Sequence, residues 1–163
     1  MMKVKDKKVN VKSHTKTLSL ITLAITLGSF GCANKPIAVE IKDVCSQPIG
    51  TNVAIQGYFS LPKSLEVTKY TRGGQGAGIS YKLILMTKQD ASGDAVFVNI
   101  SGTSVTDPNR IKVLPDDYSW KDLTAFTDDN RTIVAGELAR LTGPTEADEK
   151  DRCKVNVHKI EKP

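Results

Sequence analysis

The stretch NVAIQGYFS, residues 52–60, sets Val53 and Ile55 in alternation with their neighbours and then meets Gly57. A period of two is the pattern of a strand with one face on a core, and a glycine inside it marks a bulge or a tight bend. Four further stretches read the same way. ISYKLILMT (79–87) is apolar and partly β-branched, and AVFVNI (95–100) alternates Val96, Val98 and Ile100. TIVAGELARLTG (132–143) reads as a strand with Gly136 at its centre, and KVNVHKIE (154–161) closes the chain. Five strands separated by Gly, Pro and Asp turns predict an all-β domain, a barrel or a sandwich.

The connections refine this. KQDASGD (88–94) predicts a hairpin turn with Ser92, Gly93 and Asp94 at its tip. In LPDDYSWKDLTAF (114–126), Ser119 with Asp122 three residues later predicts a helix N-terminus and a short helix over 119–126. TDDNR (127–131) is a turn into the fourth strand. YTRGGQGAGIS (70–80) lacks the Gly-Lys-Ser/Thr of a phosphate-binding P-loop and is followed by a strand, so it reads as a long flexible loop that could flank a ligand.

Three strands, a short helical connection and two more strands resemble the OB-fold, a five-stranded barrel. IGTNVAIQGYFSLP (49–62) is similar to its opening strand and GELARLTG (136–143) to its fourth, with Gly57 and Gly136 placed where bulges coil the strands. The resemblance covers about residues 41–161, with the domain taken as 41–163, and is one of pattern without a fingerprint motif. An SH3-like barrel or a small sandwich fits the same strands. The resemblance implies a binding module for oligonucleotides, oligosaccharides, small molecules or proteins, and does not choose among them.

Ahead of the domain, Lys3, Lys5, Lys7, Lys8, Lys12 and Lys16 precede an uncharged run from Leu18 to Phe30, too short for the roughly 20 residues that span a bilayer. A basic segment, a short apolar run and small residues form the layout of a secretory signal over 1–31. LGSFGCANKP (27–36) then resembles the end of a bacterial lipoprotein signal: Gly31 and Cys32 match its last two positions, which makes Cys32 the lipid acceptor and 32–40 a tether. Ser29 replaces the usual Leu, and Ser29-Phe30-Gly31 also satisfies ordinary signal cleavage, so lipidation and plain secretion both fit. The lipidated reading places the protein on a cell-envelope membrane, periplasmic or at the cell surface.

The six leader lysines and Asp6 account for the whole formal charge of +5, so the remainder is neutral and carries no whole-domain footprint for a phosphate backbone. With lipid on Cys32, Cys45 and Cys153 remain as an even pair in an oxidising compartment. Their wide separation, with His158 the only histidine after the leader, does not make a zinc set. The OB-fold strand order brings both to one rim of the barrel, which implies a disulfide with Cα atoms within about 7 Å.

Strand parity supplies a candidate ligand face. With Tyr81, Leu83 and Leu85 inward, Lys82, Ile84 and Met86 face outward; with Val96, Val98 and Ile100 inward, Phe97 and Asn99 face outward. Ile84, Met86 and Phe97 would form an outer apolar patch, flanked by Lys82 and by Tyr70 and Arg72 of the loop, unless the N-terminal segment or the 101–118 connection covers it. EADEKDR (146–152) lacks the calcium-loop pattern and reads as a solvated loop, and His158 reads as a strand residue with no nucleophile paired to it by a motif. No catalytic constellation, cofactor motif or metal set is found. The expectation is an exported, lipid-anchored binding or scaffold module without enzymatic activity, whose partner is a protein, oligosaccharide or small molecule. The alternative is a single-stranded nucleic-acid-binding domain using Lys82, Lys88, Arg72 and Phe97.

Overall fold

The structure, a computed structural model, describes residues 35–72, 76–90, 92–147 and 153–163. The leader, Cys32 and residues 148–152 of the expected solvated loop lie outside them. The described chain opens with Ile37–Ala38 (β1), which runs parallel to Val53–Ala54. Ile37 and Ala38, within the stretch expected as a tether, thus pair with Asn52–Ser60. A 3-10 turn over Ile41–Ser46 follows and buries Ile41 and Val44 in the core.

Asn52–Ser60 (β2), Glu66–Arg72 (β3), Gly76–Met86 (β4) and Ala95–Thr103 (β5) come next. Arg110–Lys112 (β6), Thr124–Phe126 (β7) and Thr132–Val134 (β8) are short strands. Leu138–Ala147 (β9), Cys153–Asn156 (β10) and Lys159–Glu161 (β11) complete the chain. The β2 strand pairs antiparallel with β4 and with β9. β4 pairs antiparallel with β5, β5 parallel with β10, and β10 antiparallel with β9. These pairings close a five-stranded ring, β2-β4-β5-β10-β9, which is an OB-like barrel. Closure removes the sheet edges from these five strands.

Val53 and Ile55 of β2, Leu83 and Leu85 of β4, Val98 and Ile100 of β5 and Leu141 of β9 fill the barrel. Alternation along each strand therefore points the inward set as the sequence pattern requires. Ile111, Leu123, Ala125 and Ile133, carried by β6–β8 and the segment between them, add to this core. Tyr81 is buried in it, and its hydroxyl accepts a hydrogen bond from the Leu114 backbone N–H at 3.2 Å. That bond satisfies the phenol where burial would otherwise leave it unpaired.

Several expectations are corrected. Within the segment expected as a loop, residues 70–72 and 76–80 are strand: β3 and β4 pair antiparallel, with Glu66 opposite Lys82 and Tyr70 opposite Gly78, while residues 73–75 lie outside the described part. Thr68, Tyr70 and Thr71 are sheet formers, and their partner strand supplies the hydrogen bonds that a local reading cannot see. The predicted helix over 119–126 shrinks to a 3-10 turn at Trp120–Asp122, and Thr124–Phe126 instead pairs with β6 and β8. The 132–143 strand is broken into β8 and β9. Gly136 sits between them at φ 85°, a left-handed conformation that suits glycine, and so makes a turn rather than a mid-strand bulge. The last strand is also split, and His158 lies in the connection between β10 and β11, exposed, its backbone N–H bonded to Thr142. β4 and β5 are joined by a hairpin as expected, but Asp94 pairs with Thr87 at its base and not at its tip, with Gly93 at φ 101°; the 127–131 turn has Asn130 at φ 62°.

Candidate functional site on the outer barrel face

Cross-strand register assembles the outer face. Tyr58 lies beside Met86, Ser60 beside Ile84, and Ile84 beside Phe97. One step along, Glu66, Lys82 and Asn99 form a row across β3, β4 and β5. Phe97 and Asn99 in turn pair with Lys154 and Asn156 of β10. Parity alone therefore gathered Lys82, Ile84, Met86 and Phe97 correctly onto one surface.

The character of that surface differs from the expected apolar patch. Lys82 is on the outer face, yet it is only 8% exposed. Its ammonium lies 3.2 Å from a Glu66 carboxylate oxygen and 4.8 Å from the centroid of the Phe97 ring. Met86 is buried, and Ile84 and Phe97 are half-buried. The long Lys82 stem and its charged head thus occupy one side of the aromatic ring that a ligand would otherwise stack upon.

Polar bonds extend across the neighbouring strands. Asn99 donates from Nδ2 to the Asn156 side-chain oxygen at 3.4 Å, and Asn156 donates to Glu146 at 2.9 Å. Lys154 stands 3.6 Å from the same Glu146 carboxylate. Among the described side chains of this face, Lys82 and Lys154 each have a carboxylate partner. Tyr70 is half-buried; its ring lies over Gly78, where an added Cβ would collide with it, and its hydroxyl is 3.4 Å from Ser101 Oγ. Arg72 ends β3, and its side chain lies outside the described part of the structure.

At the Tyr58–Met86 end, the face opens into a groove of about 380 Å³. Its walls include Tyr58, Ser60, Leu61, Met86, Lys88, Gln89, Asp90, Trp120 and Gly136. Of these, Met86 belongs to the expected ligand face and Lys88 to the nucleic-acid alternative; the others were not singled out as ligand contacts by the sequence. The missed signal was the chain's single tryptophan, set among polar residues in DYSWKD (117–122). It falls within the short helix predicted over 119–126.

Trp120 is half exposed on a pinned turn. The Asp122 carboxylate accepts from the Ser119 backbone N–H at 2.7 Å and from the Ser119 hydroxyl at 2.9 Å. These bonds favour the ionised carboxylate and hold the Asp122 pKa below its ordinary value of 3.8. Across the groove, Asp90 accepts from the Ser92 hydroxyl at 2.6 Å and from its backbone N–H at 3.0 Å, which likewise lowers its pKa.

The chain matches no protein-family model and no curated protein.

Cys45 and Cys153 form a disulfide with Cα atoms 5.5 Å apart, spanning 108 residues. The bond ties the 3-10 turn that buries Ile41 and Val44 to the start of β10. Among the described residues, no group of three His, Cys, Asp or Glu side chains is placed to hold a metal ion.

Proposed function

We propose that this chain is an exported, lipid-anchored binding module built on an OB-like barrel, with no catalytic role. The observation that carries the reading is the Cys45–Cys153 disulfide, which leaves Cys32 as the odd cysteine directly after Gly31. Disulfides persist in oxidising compartments, in keeping with the basic and apolar leader. Cys32 is then the lipid acceptor, and the protein sits on a cell-envelope membrane, facing the periplasm or the cell surface. The outer face of β3, β4 and β5 and the groove beyond Tyr58 and Met86 are its ligand surfaces, for a protein, an oligosaccharide or a small molecule.

The nucleic-acid alternative is disfavoured by electrostatics. A single-strand binder tracks phosphates with uncompensated cations and stacks bases on open aromatic rings. Here Lys82 and Lys154 face carboxylates, and Lys82 covers Phe97.

Two measurements test the reading. Expressed with its leader in a bacterial host, the wild-type protein should partition with membranes and carry an N-terminal lipid mass, and Cys32→Ser should abolish both. A soluble wild-type product with an unmodified N-terminal cysteine would refute the anchor. Retention on single-stranded DNA that weakens steeply with salt would favour the alternative instead.

A further inference from the structure

The groove between the β4–β5 hairpin and the Trp120 turn has the chemistry of a sugar site. We propose that it binds a neutral pyranose ring, stacked on Trp120 and Tyr58 and held through its hydroxyls by Asp90, Gln89 and Lys88.

Four observations carry this. The first is the exposure of Trp120. A tryptophan ordinarily contributes by burying a large area, and one left half in solvent on a rigid support retains that capacity for a ligand. The support is rigid because the Ser119–Asp122 bonds close the turn on one side, while Leu123, fully buried, anchors the other.

The second is the polar rim. Asp90 offers acceptors, Lys88 offers donors, and the Gln89 amide and Ser60 hydroxyl offer both. One cation and one anion leave the lining with no net charge. Such a rim has no preference for an ionic ligand but matches hydroxyl groups, each of which donates and accepts.

The third is preorganisation. The hairpin is fixed by Thr87, whose backbone N–H donates to the Asp94 carbonyl at 3.0 Å and whose hydroxyl accepts from the Asp94 N–H at 3.1 Å. Ser92 orients Asp90, as described above. Gly136 lets Gln89 approach: a Cβ there would stand 2.6 Å from the Gln89 amide nitrogen. A site whose polar groups are already placed loses less ordering entropy on binding.

The fourth is size. A volume of about 380 Å³ lies at the small end of ligand pockets, roughly 300–1,000 Å³, suited to one or two rings rather than to a long peptide. The apolar floor of Met86 and Leu61 accepts the C–H face of a ring. This inference rests on the reading of the groove as a ligand surface and is independent of the export reading, because it uses only the barrel and its hairpins.

Trp120, as the only tryptophan, reports its own occupancy by fluorescence. The probes are two soluble trisaccharides, chitotriose and cellotriose. One of them should shift the emission saturably, with a Kd between about 10 μM and 3 mM. Calorimetry should then show at least a roughly tenfold loss of affinity for that trisaccharide in Trp120→Ala, with a smaller loss in Tyr58→Phe and Asp90→Asn. Unchanged circular dichroism in Trp120→Ala would verify that its fold survives, and Trp120→Phe should recover part of the binding. No saturable response to either probe up to about 10 mM would overturn the proposal. So would binding that survives Trp120→Ala, or a response to hydrophobic peptides in place of both sugars.

Discussion

The Lys82 ammonium is held between the Phe97 ring, 4.8 Å from its centroid, and the Glu66 carboxylate, 3.2 Å away. Three adjacent strands, β3, β4 and β5, meet in this contact, so it fastens β3 to the barrel strands β4 and β5. Phe97→Ala should cost about 1–2 kcal/mol, well below the roughly 3–5 kcal/mol of a fully buried aromatic. A double-mutant cycle with Lys82→Met should return a coupling of roughly 0.5–2 kcal/mol in chemical denaturation. A full-size loss in Phe97→Ala, or additivity within error, would show that the ring acts as ordinary core. Lys82→Glu should be far worse than Lys82→Met, since it sets two carboxylates side by side.

The disulfide encloses more than a hundred residues. Chain-entropy reasoning gives about 4–5 kcal/mol of stabilisation for a loop of that length, less where the native state is strained. Native protein should show no thiol from Cys45 or Cys153. The double variant Cys45→Ser, Cys153→Ser should melt well below wild type. Hydrogen exchange should locate the loosened region at residues 41–46, whose Ile41 and Val44 the bond pins to the barrel. Equal melting temperatures with and without reductant would contradict this role.

Gly143 and Gly136 should respond differently to alanine. A Cβ on Gly143 would collide with the backbone carbonyl of Asn156, where the chain crosses from β10 to β11. Rigid backbone cannot yield cheaply, so Gly143→Ala should cost about 3 kcal/mol or fail to fold. At Gly136 the obstacle is the flexible end of Gln89 plus a left-handed φ, so Gly136→Ala should cost only about 1–2 kcal/mol. Urea denaturation of both variants checks the order, and an equal cost would count against it.

Acid should destabilise the fold through identified carboxylates. Lys162 and the Val134 backbone N–H hold Glu137 below its ordinary pKa of 4.5, and Ser119 does the same for Asp122 below 3.8. Thr127, followed by Arg131, lowers Asp129. A carboxyl group whose folded pKa is depressed contributes stability above its unfolded pKa and loses it as pH falls through the folded value. The melting temperature should therefore hold steady from pH 7 to about pH 5 and decline below about pH 4.5. Asp122→Asn should flatten part of that decline. The opposite trend, greater stability at low pH, would rule out these bonds as contributors.

The primary structure was informative wherever periodicity or local turn chemistry carried the signal. The β2 strand is found at residues 52–60 as read, because Val53 and Ile55 alternate over a full strand length. Inward and outward faces of β4 and β5 followed from the same period of two, and the Cys45–Cys153 partnership from what the lipoprotein and OB-fold resemblances implied about Cys32 and the strand order. The Ser92–Gly93 and Asn130 turns were legible because few residues tolerate their backbone conformations. By contrast, β3 and β7 are strands only because neighbours several residues or several strands away complete their hydrogen bonds. Trp120 became a candidate ligand contact only when the 88–90 hairpin and the Gly136 turn were brought beside it. Lys82 is the sharpest case. Sequence parity put it on the outer surface, but only the tertiary structure could bury it there, because its partners Glu66 and Phe97 come from two other strands.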